Sequence, residues 1–326
     1  MSREERARVA LTGLGVPESL RWRDGALFFS DMAAGSVHRW DGRSAETDLV
    51  AEIPGRPGGL GWLPDGRMLA VSMDGGCVYR QERDGTLVVH ADIGHLTRGC
   101  VNDMIVDDEG RAYVGSYGLD WFAYVAEHPA SSLLAPPGPP RIGLVRLAAD
   151  GTILGQTEEI AFPNGAVLLD DGRTLVIAET LTMRLLEFAV DDDGDLHGRG
   201  AWAQLIPDAL WRAVTAEGWR GRIARGVSTL TDRPAIAERS ASPIGPDGIA
   251  IGKGGTIWVA NALRGECVEV ERGGRIRRRI RTSQPALSCV LGGDAGDTLF
   301  VATSRHSEPG AARAERTGSI EVFALG

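Results

Sequence analysis

Four polar residues open stretches that are otherwise apolar. Glu18 begins "ESLRWRDGALFFSDM" (18–32), Asn102 lies in "VNDMIVDDEGRAYVGS" (101–116), Asn164 in "PNGAVLLDDGRTLVIAE" (163–179) and Asp247 in "PDGIAIGKGGTIWVAN" (246–261). Two carboxylates and two carboxamides form a hard, all-oxygen donor set. Such a set suits Ca²⁺ first, with Mg²⁺ or Mn²⁺ as alternatives, and Zn²⁺ also accepts carboxylate oxygen. Taken singly, Asn-Gly and Asp-Gly pairs signal only a turn. Four polar residues at matched places of one pattern point instead to a shared divalent cation.

The pattern that must position them is a repeat. "GGLGWLPDGRMLAVSM" (58–73) and "ALSCVLGGDAGDTLFVATS" (286–304) follow the same plan as the four stretches above. Each has a small or polar opening, an apolar strand, a glycine-centred turn and a second apolar strand. The turns carry residues that tolerate positive φ, as hairpins require: Asp24-Gly25, Asp65-Gly66, Glu109-Gly110, Asp171-Gly172 and Gly254-Gly255. A third strand follows each hairpin, as in "SVHRWD" (36–41) and "SIEVFAL" (319–325), and a weaker fourth precedes the next unit. Four short strands recurring at about 40 residues mark a propeller blade.

The expectation is an all-β, six-bladed β-propeller with four-stranded antiparallel blades, forming one domain over 1–326. "ARVALTG" (7–13) should join the last blade and close the ring. Inner-strand openings would then crowd round one mouth of the central channel, bringing together groups remote in sequence. Blade two offers only Gly58 and Gly59 there, and blade six Ala286 to Ser288, leaving that side open.

Two segments break the period: 119–141 inside blade three, and 205–243 between blades four and five. Both read as irregular chain suited to lid loops, with one short helix possible over 205–225. Their Trp121, Phe122, Trp211 and Trp219 are the candidate apolar wall for a substrate.

Composition narrows the partners. The 326 residues carry 35 basic and 44 acidic side chains, a formal net charge of −9. That disfavours nucleic acid and anionic membranes and leaves a small molecule as the expected partner. The basic run Arg275-Ile276-Arg277-Arg278-Arg279 reads as a solvated strand edge. Cys77, Cys100, Cys267 and Cys289 form no CxxC pair, so zinc-finger spacing is absent and a disulfide framework is not expected. The N-terminal stretch has charge but no apolar core of a signal peptide, and no run approaches the ~20 apolar residues that span a bilayer, so a cytoplasmic location is expected. The six histidines show no HxxxH or HExxH spacing. Ser30, Asp31, Ser72 and Ser116 end second strands and read as blade caps, and Glu179 and Arg184 as a supporting pair.

In combination and in order, Glu18-Ser19, "VNDMIVDDEGRAYVGS", "FPNG" and "PDGIAI" with "IWVAN" resemble the senescence-marker-protein/gluconolactonase, or regucalcin-like, family over essentially the whole chain. The resemblance implies a six-bladed propeller with one divalent ion near its axis and a lactone-hydrolysing activity. It implies Glu18, Asn164 and Asp247 as metal ligands, Asn102 as a nearby ligand or substrate contact, and Asp247 as general base. The sugar-lactone enzymes commonly carry Arg two residues before the blade-three Asn, where this chain has Cys100. With the insertion before Asp247, that departure points to a substrate bulkier or more apolar than a sugar lactone. The same metal and base would also serve phosphotriester hydrolysis, cyclisation or isomerisation, since fold does not fix chemistry. A protein-binding scaffold with a structural cation is the non-enzymatic alternative.

Overall fold

The computed structural model describes residues 5–230, 244–306 and 308–326. Alternation of apolar and polar residues between glycine turns produces six antiparallel sheets arranged in a ring. Blade one uses strands Pro17–Arg23, Ala26–Asp31, Ser36–Trp40 and Asp48–Glu52, ordered from the axis outward. Blades two, three and four begin at the axis with Pro57–Trp62, Val101–Val106 and Pro163–Leu169, and each adds its next three strands in sequence order. Blades five and six begin with Pro246–Ile251 and Ala286–Gly292. Every innermost strand lies against the next one round the ring, and that of blade six returns to blade one.

The expected closure is present. Strand Arg8–Leu14 pairs antiparallel with Gly318–Ala324 as the outermost strand of blade six. Ahead of it, Glu5–Arg6 pairs in parallel with Ile280 and Arg281 at the outside of blade five. The arginine run itself stays on the outer edge of blade five, with Arg275, Arg277 and Arg279 exposed. The N-terminal residues pair only with the end of strand Ile276–Arg281, while Arg278 is bonded to Glu5 and Arg279 to Glu266.

Each blade repeats one backbone contact at the upper end. The residue after the second strand donates its N–H to the residue just ahead of the first. The pairs are Met32–Val16, Met73–Arg56, Tyr117–Cys100, Thr180–Phe162, Ala262–Gly245 and Ser304–Pro285, at 2.7–3.2 Å. The second strands themselves end in buried polar residues: Asp31, Ser72, Ser116, Glu179, Asn261 and Thr303. Most tie the ring together. Ser30 beside Asp31 donates to Gly58 O at 2.7 Å, and Asp31 accepts from the N–H groups of Gly15 and Val16.

Glu179 is the most heavily bonded of them. Fully buried, it takes ion pairs from Arg141, Arg184 and Arg199 and hydrogen bonds from Thr182 and the N–H of Ala161. Burial works to raise its pKa, but the Arg184, Thr182 and Ala161 hydrogen bonds outweigh burial and hold the carboxyl below its ordinary value. Glu179→Ala leaves three guanidinium groups without their shared anion. Urea unfolding should show a loss of about 3–5 kcal/mol. Because this pKa is depressed in the folded state, its contribution is complete above the unfolded-state value and disappears on acidification through the folded one.

The two insertions depart from the irregular chain expected of them. The first folds into a helix, Trp121–Glu127, capped by Asp120, and a 3₁₀ turn, Ala130–Leu134. The second begins with two helices, Asp208–Val214 and Gly218–Leu230, instead of one; they part just before Gly218, whose φ is +68°. Gly218–Leu230 packs on the 3₁₀ turn of the first insertion, so the two brace each other. Residues 231–243 of that expectation lie outside the described residues. Among the described residues no helix is long and apolar enough to cross a membrane.

Candidate active site and metal centre

Every inner strand shifts register against its neighbour close to its opening. The irregularities fall between Glu18 and Arg21, Pro57 and Leu60, Val101 and Met104, Pro163 and Ala166, Pro246 and Ile249, and Ala286 and Ser288. A bulge re-aims a side chain that regular pleating would send to a sheet face. Asn102, Asn164 and Asp247 sit inside three of these irregularities, and Glu18 starts a fourth.

Glycines beside them let the blades converge. A Cβ on Gly165 would stand 2.6 Å from Gly248 Cα, one on Gly248 2.6 Å from Ser288 Cα, and one on Gly59 2.3 Å from Met104 N. The inner strands therefore approach backbone to backbone. That convergence brings the openings of four separate blades to one place.

Glu18, Asn102, Asn164 and Asp247 all line a single cavity of about 670 Å³ at this mouth. The two amides are oriented by their nitrogen ends. Asn102 Nδ2 donates to Pro163 O and Asn164 Nδ2 to Thr180 Oγ1, each at 3.4 Å, while Thr180 Oγ1 donates to Pro246 O at 2.7 Å. With the nitrogens so engaged, the carboxamide oxygens remain for a ligand. Neither Glu18 nor Asp247 forms an ion pair with a described residue. Burial, with the nearby Asp247 and Asp103 charges, pushes the Glu18 carboxyl well above the usual carboxylate range. Burial and Asp103 do the same to Asp247, opposed by its hydrogen bond with Asn164. Two crowded acids with no basic partner, joined by two oriented amide oxygens, fit a divalent cation of the Ca²⁺ type.

Below them Asp103 is already satisfied. It accepts from Ser19 Oγ at 2.9 Å and Arg21 Nη2 at 3.1 Å, while Arg21 also bonds the carbonyls of Leu60 and Met104. Arg21 and Asp103 thus form the floor, and Arg21 faces a second, open cavity at the far end of the channel.

Of the four aromatic residues assigned to an apolar wall, Trp121 and Phe122 line the cavity, together with Pro129, Ala130 and Leu134 of the first insertion. Trp211 and Trp219 do not; Trp219 is 63% exposed, and no described residue of 205–230 reaches the lining. They were placed on the wall because the second insertion was read as loop, whereas its helices stand behind the first insertion. Blade six closes its side with Pro285 and Leu287 instead of leaving it open.

Several lining residues escaped the sequence reading. Tyr117 stacks on Phe162 with centroids 4.4 Å apart and planes at 14°, and Trp121 meets Phe162 edge-on at 5.1 Å. A signal for them existed: the residue after the second strand lines the cavity in five of six blades, as Met32, Tyr117, Thr180, Ala262 and Ser304. Near the missing arginine, Cys100 Sγ lies 3.2 Å from Arg56 of blade two, whose guanidinium bonds Asp74 and stacks on Phe122 at 4.8 Å. Phe122 lies between that cation and the substrate space. Arg98 is exposed.

One further acidic group, Asp191, Asp195 and His197, lies within metal-binding distance on the surface. It is accounted for as a hairpin turn: Asp191 accepts from the N–H groups of 193 and 195 and from His197.

Known proteins share the chain's family and its fold. The profile described as the SMP-30/Gluconolactonase/LRE-like region matches residues 16–305. Pentonolactonase XacC of Haloferax volcanii is 23% identical over 312 residues, covering 94% of this chain and 87% of the relative. Among solved structures, a luciferin-regenerating enzyme superposes with a TM-score of 0.72 at 16% identity, covering 99% of this chain and 96% of the other. A calcium-binding protein, regucalcin, from Agrobacterium tumefaciens gives 0.67 at 17% identity, with coverage of 98% and 94%.

Proposed function

Since the chain belongs to the SMP-30/gluconolactonase/LRE-like family, we propose that it is a divalent-metal-dependent hydrolase opening a lactone or related ester, with a substrate more apolar than a sugar lactone. The observation that carries this reading is the meeting of Glu18, Asn102, Asn164 and Asp247 in one cavity that is also lined by Tyr117, Trp121, Phe122 and Phe162. The family relationship and the pentonolactonase similarity support the lactone class.

Glu18, Asn164 and Asp247 would hold the cation, with Asn102 as a further ligand or a contact to substrate. When bound, such an ion supplies Lewis acidity toward a carbonyl and lowers the pKa of water. Asp247 takes a proton from the attacking water at a carboxylate oxygen. Asn164, anchored through Thr180 to Pro246 O, keeps that carboxylate in place. Tyr117, Phe122, Trp121 and Phe162 bind the apolar part of the substrate and exclude bulk water. The first insertion serves as the lid.

A panel of aromatic and alkyl lactones set against gluconolactone tests the specificity. The apolar members should give the higher kcat/KM, and each product should weigh one water more than its substrate. Preference for gluconolactone would overturn the apolar assignment. A product of unchanged mass would overturn hydrolysis itself.

A further inference from the structure

We propose that Tyr117 is a further catalytic residue, its phenolic hydroxyl donating a hydrogen bond to the substrate's ester group as negative charge develops on the ester oxygens. The proposal rests on the lactone-opening reading above.

The ring is fixed on three sides. Its backbone N–H is bonded to Cys100 O at 3.0 Å, its face is stacked on Phe162, and Phe122 meets it at an angle of 62° with centroids 6.2 Å apart. The residue is only 8% exposed, and that exposure opens into the cavity it shares with Glu18 and Asp247. Buried tyrosines ordinarily find a partner for the hydroxyl. Tyr113 donates to Gly194 O at 3.0 Å and Tyr124 bonds Ser132 at 2.7 Å. The Tyr117 hydroxyl has no hydrogen-bond partner among the described residues. An ordinary phenol is protonated at neutral pH, so the hydroxyl is available as a donor. A held donor of this kind, in a cavity screened from bulk water, stabilises charge that appears only in the transition state.

Tyr117→Phe retains both ring contacts and removes one oxygen. On the best lactone of the panel, at saturating Ca²⁺, kcat should fall about 10²-fold or more, with KM little changed and an unaltered melting temperature. A purely packing role for the ring predicts no change in kcat. Wild-type kcat in the variant, a defect confined to KM, or a loss recovered by raising Ca²⁺ would each overturn the proposal. If the wild-type protein opens no member of the panel, the lactone reading fails and takes this proposal with it. An active wild type beside an unaffected variant rejects the role of Tyr117 alone.

Discussion

Asp247→Asn should abolish nearly all turnover while leaving the propeller folded. The substitution keeps the shape of a side chain in the bulge between Pro246 and Ile249, where the backbone passes close to Gly165. It removes the atom that accepts the proton, and one of the two charges that attract the cation. General-base catalysis alone is worth about 10²–10⁴-fold, and weakened cation binding adds to that. The expected result is a fall in kcat/KM of at least about 10³-fold, only partly restored by excess Ca²⁺. A merely electrostatic role would let saturating metal recover full activity. Steady-state kinetics across a metal titration separates the two, and wild-type-like kinetics would sink the assignment.

Removal of the cation should have the second largest effect, and should show in stability as well as activity. Chelation is expected to end turnover, and Ca²⁺ to restore it. In the cation-free protein, burial and the charges of neighbouring acids, Asp103 for both and Asp247 for Glu18, raise the pKa values of Glu18 and Asp247. Between the ordinary carboxylate values near about 4 and those raised values, the native state binds more protons than the unfolded one. Stability of the metal-free protein must therefore fall as pH rises through that window. A bound divalent cation relieves the penalty, contributing about 2.7 kcal/mol at a hundredfold excess over Kd. The gain in melting temperature on adding Ca²⁺ should be greater at pH 8 than at pH 5. A gain independent of pH, or Glu18→Gln binding Ca²⁺ as tightly as wild type, would remove these carboxylates from the cation site.

Much of this arrangement was legible in sequence because a propeller repeats its backbone. Each glycine turn follows its opening by seven or eight residues, so the openings at Glu18, Asn102, Asn164 and Asp247 could be aligned from sequence. The closing strand was visible as an apolar stretch with no partner nearby. Tyr117 and Phe162 lie just outside the repeated strands, one residue after Ser116 and one residue before Pro163. The backbone contact that turns those flanking residues toward the axis exists only between strands. A helix within 205–225 was expected, but the helix of the first insertion was hidden for another reason. Trp121–Glu127 is seven residues long, too short for helical periodicity to emerge. Tertiary packing, including the contact between the two insertions, decides its form.

The seam between Arg8–Leu14 and Gly318–Ala324 bears on how an active molecule comes into being. On the ribosome, Arg8–Leu14 must wait for Gly318–Ala324, a pairing of high contact order and hence slow. Glu18 lies four residues beyond that first segment, so its position is settled when the circle shuts. A nascent chain with five blades complete would still lack an assembled cation pocket, and catalytic competence should arrive in one late step instead of growing blade by blade.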